Sequence, residues 1–402
     1  MDLITQLADA DLSSSTMVVE ELPPLTLSAD VRNSGYKLAP VDVNLFPAGW
    51  HNLCHGIYPR AAEQITRWCQ LRGLAERNVL ILGEFMTRNP SYLENLATIE
   101  KILTLAGYEV RLGLLAEDET EPIIATTLSE QSLQLYPVRV EAGRLVTSDG
   151  FRADWVLNNN DFTGGAADLL ASVDSPIEPS PRYGWHARRK RDFYSAYEQI
   201  ATAEAERLSI DPWTLIPETV AVEPVDFWNK EGVIAVADQV DAMLDSIADH
   251  YRERNISDSP FVVVKDEAGT FGMGVLTLDS SDSLRNLNRK TRQKMQRGKG
   301  GRSISSVLVQ EGVYTRDIIG ECVAEPVVMA IGGRYAGGFF RYHCSKTESD
   351  NLNSKGMVFA RLCGSDGVAC GDDCVQDPAR DRLYGWIANT IAHAAGRELA
   401  AL

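Results

Sequence analysis

The segment VVVKDEAGTFGMG places Lys265 at the end of an expected strand, with Gly269, Gly272 and Gly274 just beyond it and a second strand, GVLTL, behind them. Glycines let backbone N–H groups approach phosphate oxygens without side-chain obstruction, and a lysine beside them neutralises their charge. Thr270 sits inside the same loop. The chemistry that fits is a nucleotide phosphate flap, and a plain turn is the alternative. GxxxxGK[ST] is absent and no helix follows the glycines, which excludes a Walker A loop and a dinucleotide fingerprint.

Downstream, LRNLNRKTRQKMQRGKGGR carries Arg285, Arg289, Lys290, Arg292, Lys294, Arg297, Lys299 and Arg302 with no acid between them. Such a field is a solvated helix face, a nucleic-acid patch or a funnel for polyanions. No aromatic residue interleaves to stack bases, which weakens the nucleic-acid reading. Gln310 and Glu311 then end an apolar strand, SVLVQ, where the backbone suits the hinge that holds an adenine edge. Glu325 lies inside the apolar run VAEPVVMAI, and Arg341 ends the following strand GGFFR. The pair is either a structural ion pair or a Mg²⁺ ligand beside a cation that stabilises a transferring phosphoryl group. Asp350, Asn351, Asn353 and Lys355 follow in a loop, and an asparagine oxygen is a hard ligand suited to Mg²⁺.

Two further clusters are polar and irregular. Arg32, Asn33, Lys37, Asp42, Asn44 and Asn52 stand among glycines and prolines near Phe46, Pro47 and Trp50, as in a binding loop or a loop crowded with turn formers. Asn158 to Asp161 end a strand, and His186, Arg188, Arg189 and Lys190 open a helix, where their charge opposes the dipole and calls for an anion. Arg88 and Asn89, after the strand at 78–83, are strand-end candidates of the same kind.

The elements that must position these residues alternate in character. NVLILG at 78–83, a helix across 92–105 and YEVRLG at 108–113 predict a parallel strand–helix–strand unit, which YPVRV and DWVLN extend. Phe193, Tyr197, Ile200, Ala201, Ala205 and Leu208 recur on one helix face, as do Val236, Val240, Met243, Leu244, Ile247 and Tyr251. A strand-rich block follows, with Gly332 and Gly333 as a tight hairpin turn and Leu383, Ile387 and Ile391 on a closing helix. The fold class read from this is α+β with an α/β first half, and a cleft between the blocks is the natural ligand site.

Composition bounds the rest. The 402 residues are 44% apolar, enough for two or three domains, and 39 basic against 56 acidic residues give −17. That balance argues against a general nucleic-acid or anionic-membrane binder, so any anion is held locally. No apolar run is long enough to span a bilayer and the first residues lack a signal-peptide layout, so a cytoplasmic protein is expected. The first 24 residues read as an arm outside the core. Seven irregularly spaced cysteines suit reduced thiols. Cys363, Cys370 and Cys374 cluster in sequence, but no CxxC pair or nearby His completes a zinc site, so they read as a reduced loop.

The runs DVRNSGYKLAPVDVNLFPAGWHNL, LNNNDFTGG, GWHARRK, FVVVKDEAGTFGMGV, LNRK, VQEGVYT, AEPVVMAIGGRYAGGFFRYH and NLNSKGM, in this order, closely resemble the bacterial glutamate–cysteine ligase family of ATP-grasp fold over roughly residues 28 to 360. The resemblance implies ATP-dependent formation of γ-glutamylcysteine from glutamate and cysteine through an acyl phosphate, the first step of glutathione synthesis. It implies ATP and Mg²⁺ and no nucleic-acid or membrane partner. With the pattern of elements it suggests a chain of an arm (1–24), an open α/β substrate domain (25–180), a helical middle (181–260) and an ATP-grasp catalytic block (261–402).

By the same resemblance Lys265, Gly269, Thr270, Gly272 and Gly274 hold the phosphates and Gln310 and Glu311 the adenine side. Arg341 acts with Lys265 in catalysis, on the acyl phosphate, and Glu325, Asn351 and Asn353 hold magnesium. Arg32, Asn33, Lys37, Asn44, Arg88, Asn159, His186, Arg188 and Arg189 bind the amino acids. One departure from the family pattern stands out: Asn351-Leu352-Asn353 occupies the place of a Glu-x-Asn pair, which leaves Glu325, Glu321 and Asp350 as competing metal acids.

Overall fold

In TLSADVRN the side chains alternate, and in the structure, a computed structural model, this segment is strand β1 (Thr26–Asn33). Leu27, Ala29 and Val31 enter an apolar cluster, which leaves Asp30 and Arg32 on the opposite face. The described residues are 3, 7, 10–12, 22–74, 76–84, 90–116, 119–160, 162, 168–184, 186–269, 274–296, 303–363 and 374–402, without the side chains of 290, 291, 294 and 296. A hairpin leads to β2 (Leu38–Asn44), antiparallel to β1 with Asp30 opposite Asp42.

The chain then builds a second sheet: β3 (Asn78–Gly83), β4 (Glu109–Leu114), β5 (Ile123–Thr126), β6 (Ser132–Glu141), β7 (Arg144–Thr147), β8 (Trp155–Asn159) and β9 (Ile177–Glu178), in the order β5-β6-β4-β3-β8-β9 with β7 on β6. β6, β4, β3, β8 and β9 are parallel, as the sequence predicts, with helices α1 (Tyr58–Leu71) and α2 (Pro90–Leu105) packed on the sheet. Two long helices follow, α3 (Lys190–Leu208) and α4 (Val233–Glu253), carrying the two predicted apolar stripes.

The strand-rich block divides in two. β10 (Thr219–Val222), β11 (Val262–Asp266), β12 (Val275–Leu278) and β13 (Val307–Glu311) form an antiparallel third sheet whose Val262, Val264, Val307 and Val309 pack on α4. Two short helices, α5 (Asp282–Arg285) and α6 (Arg289–Gln296), lie beyond β12. β14 (Asp317–Ile319), β15 (Cys322–Ile331), β16 (Arg334–His343), β17 (Val358–Cys363) and β18 (Cys374–Gln376) return to the first sheet, ordered β18-β17-β16-β15-β1-β2. The Gly332–Gly333 turn joins β15 to β16 with φ of 56° and 81°, the positive angles a two-residue hairpin needs. Helix α7 (Pro378–Ala400) and α3 cover one face of this sheet. On the other face Val327, Met329 and Ile331 meet α1, while Glu325 and Arg341 face each other further along.

Three expectations change. The unit 25–180 is divided between two sheets, because β1 and β2 join strands from the far end of the chain. Leu3, Leu7 and Leu12 of the arm are buried in the cluster under α7, and Arg382 and Arg207 donate to arm carbonyls, so these residues belong to the core. Cysteines are paired: Cys322 is disulfide-bonded to Cys344 and Cys363 to Cys374, and among the described residues only Cys69 is reduced. Irregular sequence spacing hid this, since Val323 opposite His343 brings the first pair together and the parallel β17–β18 pairing the second. No described helix is long and apolar enough to cross a membrane.

Candidate active site

A cleft opens between the first and third sheets. β1 and β2 contribute Asp30, Arg32 and Asp42, β11 to β13 contribute Val263, Lys265, Val275, Thr277, Gln310 and Glu311, and β15 contributes Glu325. Asn351 and Asn353 line it from the loop after β16. Val263, Val275, Thr277, Phe261 and Val313 give one side an apolar character, while the first sheet supplies the charges.

Those charges form one network. Each oxygen of the Glu325 carboxylate takes one arginine, Arg32 Nε at 3.0 Å and Arg341 Nη1 at 2.7 Å. Arg341 also donates to both oxygens of Asp30, at 2.8 and 3.2 Å, and stands behind the lining rather than in it. Its Nε has no partner among the described residues. Burial works against the Arg341 charge, but Asp30 and Glu325 outweigh it and hold the guanidinium charged at every accessible pH. Burial also raises the Asp30 carboxyl above its ordinary range, only partly offset by Arg341.

Lys265 ends β11 with its ammonium inside the cleft wall, donating to the Val41 carbonyl at 2.6 Å and to Gln310 Oε1 at 2.8 Å. Burial lowers its pKa to about 7 against the attraction of Asp42. Asp42 is bonded to Lys190, and although burial would raise its carboxyl, Lys190 and Lys265 hold it below the ordinary value. Two polar atoms at the cleft, Gln310 Nε2 and Glu311 Oε1, are buried without a partner among the described residues, one a donor and the other an acceptor.

The expected site residues divide accordingly. Lys265, Gln310, Glu311, Arg32, Glu325, Asn351 and Asn353 share the cleft, with Arg341 directly behind them. Gly269 and Gly274 bracket the loop after Lys265, where Gly274 takes φ of 64°; Thr270 and Gly272 lie outside the described residues, as does Arg88. Lys37 does not line the cleft: it is buried on Glu311 Oε2 at 2.5 Å and over the Trp213 ring at 4.2 Å. Arg188 is spent on Glu398 through two bonds of 2.6 and 2.8 Å. Asn33 and Asn44 close turns at Gly35 and Phe46, and Asn159 bonds the Pro47 carbonyl. His186 meets the Phe162 carbonyl, and Arg189 donates to the carbonyls of Ala187 and Arg188. Each of these seven bonds a protein partner where it stands. Of the competing metal acids, Glu325 lines the cleft, whereas Asp350 caps a turn at Thr347 and Glu321 is exposed. The basic run also has structural duties, with Arg285 paired to Asp238 and Asp241 on α4.

Sequence reasoning missed Asp30. Its signal was the two-residue spacing to Arg32 in an alternating strand, which places both on one face. The opposition of Asp30 and Asp42 was not readable, since a like-charged pair is tolerated there only because Arg341 and Lys190 flank it.

The family profile GshA, described as glutamate-cysteine ligase, matches residues 13–399. The crystal structure of a protein from Methylobacillus flagellatus KT assigned as a gamma-glutamylcysteine synthetase superposes with a TM-score of 0.86 at 35% identity, covering 99% of this chain and 92% of that one. A glutathione synthetase-like effector from Globodera pallida, in apo form, gives a TM-score of 0.40 at 13% identity over 80% of this chain and 69% of that one, too distant to bear on the fold. A comparison with curated proteins returned no match. With the profile spanning nearly the whole chain and a near full-length structural match beside it, the protein belongs to the glutamate-cysteine ligase family.

Proposed function

We propose that this ligase joins the γ-carboxyl of L-glutamate to the amine of L-cysteine, with ATP converted to ADP and phosphate, in an ATP-grasp arrangement of two sheets about one cleft. The carboxylate oxygen attacks the γ-phosphorus and ADP leaves. The amine nitrogen then attacks the acyl carbon, phosphate leaves, and the nitrogen releases its proton. The product is γ-glutamylcysteine, and the reaction opens glutathione synthesis in the cytoplasm.

The observation that carries this reading is the division of the cleft into an apolar wall with an unpartnered donor and acceptor, Gln310 Nε2 and Glu311 Oε1, and a wall of fixed charges. The first wall suits an adenine, which presents one acceptor and one donor on its edge. Lys265 and the loop from Gly269 to Gly274 receive the phosphates, where a compact ammonium neutralises charge without covalent chemistry. Glu325, with Asn351 and Asn353, offers the hard oxygens that fit magnesium, and no carboxylate cage among the described residues would hold it unaided. When bound, magnesium screens the phosphate oxygens against the incoming carboxylate. Arg32 faces the anionic substrate, and Arg341 reaches the acyl phosphate only through Asp30 and Glu325, so it is a positioning residue.

Purified protein given ATP, Mg²⁺, glutamate and cysteine is expected to release ADP and phosphate only when both amino acids are present. Release of AMP refutes the acyl-phosphate route, and turnover indifferent to cysteine across a panel of amines refutes the acceptor.

A further inference from the structure

We infer that Arg32 and His343 are positioning residues, which hold the loop of residues 344–357 against Glu325 so that its asparagines form a preformed wall of the cleft. The inference rests on the proposed reading of Glu325, Asn351 and Asn353 as the magnesium oxygens. The loop contains no strand or helix, so its own backbone does not fix where its side chains point. Ser349, Asn351 and Asn353 nevertheless line the cleft, while Leu352 between them is fully buried.

The middle of the loop hangs on Arg32. This side chain donates Nε to Glu325 at 3.0 Å, Nη1 to the carbonyls of Val313 and Glu348 at 3.2 and 3.1 Å, and Nη2 to the carbonyl of Asp350. One guanidinium thus ties the metal acid to the main chain on both sides of Ser349 and next to Asn351. A planar fork of donors spans these partners, which the point charge of a lysine does not. The charge of Arg32 still faces the cleft, while its N–H groups hold protein. The neck of the loop hangs on His343, buried two residues beyond Arg341 on the same face of β16. Its Nδ1 accepts from the Ser345 N–H at 3.2 Å, which puts the ring proton on Nε2, and Nε2 donates to the Lys355 carbonyl at 3.1 Å. One ring therefore closes the loop from both ends. Gly356 crosses it at φ of 98°, where a Cβ would stand 3.1 Å from Nε2, so only glycine fits this approach.

Hydrogen exchange read by mass spectrometry, and Mn²⁺ binding in the presence of ADP read by electron paramagnetic resonance, test the assignment. Arg32→Lys keeps the charge and loses the fork; His343→Phe keeps the ring and loses both bonds. Each is expected to speed exchange within 344–357 and to weaken Mn²⁺ binding about 10- to 100-fold, the effect of losing a group that orients metal ligands. His343→Gln, whose amide can donate to the Lys355 carbonyl, should recover part of both. Circular dichroism and Tm show that each variant compared is folded, and should Arg32→Lys fail to fold, the two His343 variants carry the test. Folded Arg32→Lys and His343→Phe chains with parental exchange in the loop, or with parental Mn²⁺ affinity, overturn the inference. A parent enzyme that takes up no Mn²⁺ with nucleotide overturns the proposed function instead, and this inference with it.

Discussion

Arg341 and Arg188 are both buried arginines gripping carboxylates, and both stand in sequence runs that invite a ligand-binding reading. Around Arg188 the geometry is closed: two bonds to Glu398 and one to the Val43 carbonyl fix α3 against α7. Around the cleft it is open. Arg341 shares Glu325 with Arg32 behind a cavity that Lys265, Gln310 and Glu311 line, and keeps Nε without a described partner. A buried charge with every valence filled holds architecture, while a network with polar atoms left over at a cavity is arranged for a ligand.

The sharpest way to break this comparison is Lys265→Met, which is expected to lower turnover by about 10²-fold or more, the loss of one charge-stabilising group. Its pH behaviour adds a second readout. The ammonium is charged below about 7 in the folded enzyme, so nucleotide affinity should weaken as pH rises through 7 in the parent and stay flat in the variant. The unfolded chain keeps this proton up to the ordinary lysine value of 10.5, so Lys265 makes stability rise with pH between about 7 and 10.5. Denaturation at several pH values should find that slope reduced in Lys265→Met.

Next in size, Arg341→Lys keeps the charge but loses the fork that holds Asp30 and Glu325, and activity should fall about 10- to 100-fold with a raised Mg²⁺ requirement. An unchanged magnesium titration would separate Glu325 from the metal. Arg188→Ala should act on stability instead, with a loss of about 3–5 kcal/mol by denaturant titration as Glu398 is left buried and unpaired, and with KM for both amino acids nearly unchanged. A selective rise in one KM would move Arg188 into the site. Smallest of all, Asn44→Ala removes only the turn at Phe46 and should cost about 0.5–1.5 kcal/mol with no kinetic effect.

The parallel unit around β3 and β4, both helix stripes and the Gly332–Gly333 hairpin were legible because their signals are local: a period of 2 or 3.6, or two adjacent positive φ angles. The cleft residues Lys265, Gln310, Glu311 and Glu325 were legible as polar groups ending or interrupting apolar strands. Pairings across the chain were not. Nothing near Lys37 or Arg188 announces that Glu311 and Glu398 will consume them, and nothing near Cys54 announces Cys363. Burial of the arm leucines was hidden for the same reason, since Leu3, Leu7 and Leu12 find their cover in α7 at the opposite terminus.

The pairing of β1 with β15 has a consequence for biosynthesis. Asp30 meets Arg341 across 311 residues of sequence. At about 5–20 residues per second, a ribosome needs some 15–60 s to make that stretch. Throughout that interval the β1–β2 hairpin bearing Asp30 and Arg32 has emerged without β15 and without the counter-charges Arg341 and Glu325, while the β3–β9 sheet can already close. A message truncated before β15 would leave the β1 side of that hairpin as an unpaired edge, so the first strands of this chain complete their sheet only late in synthesis.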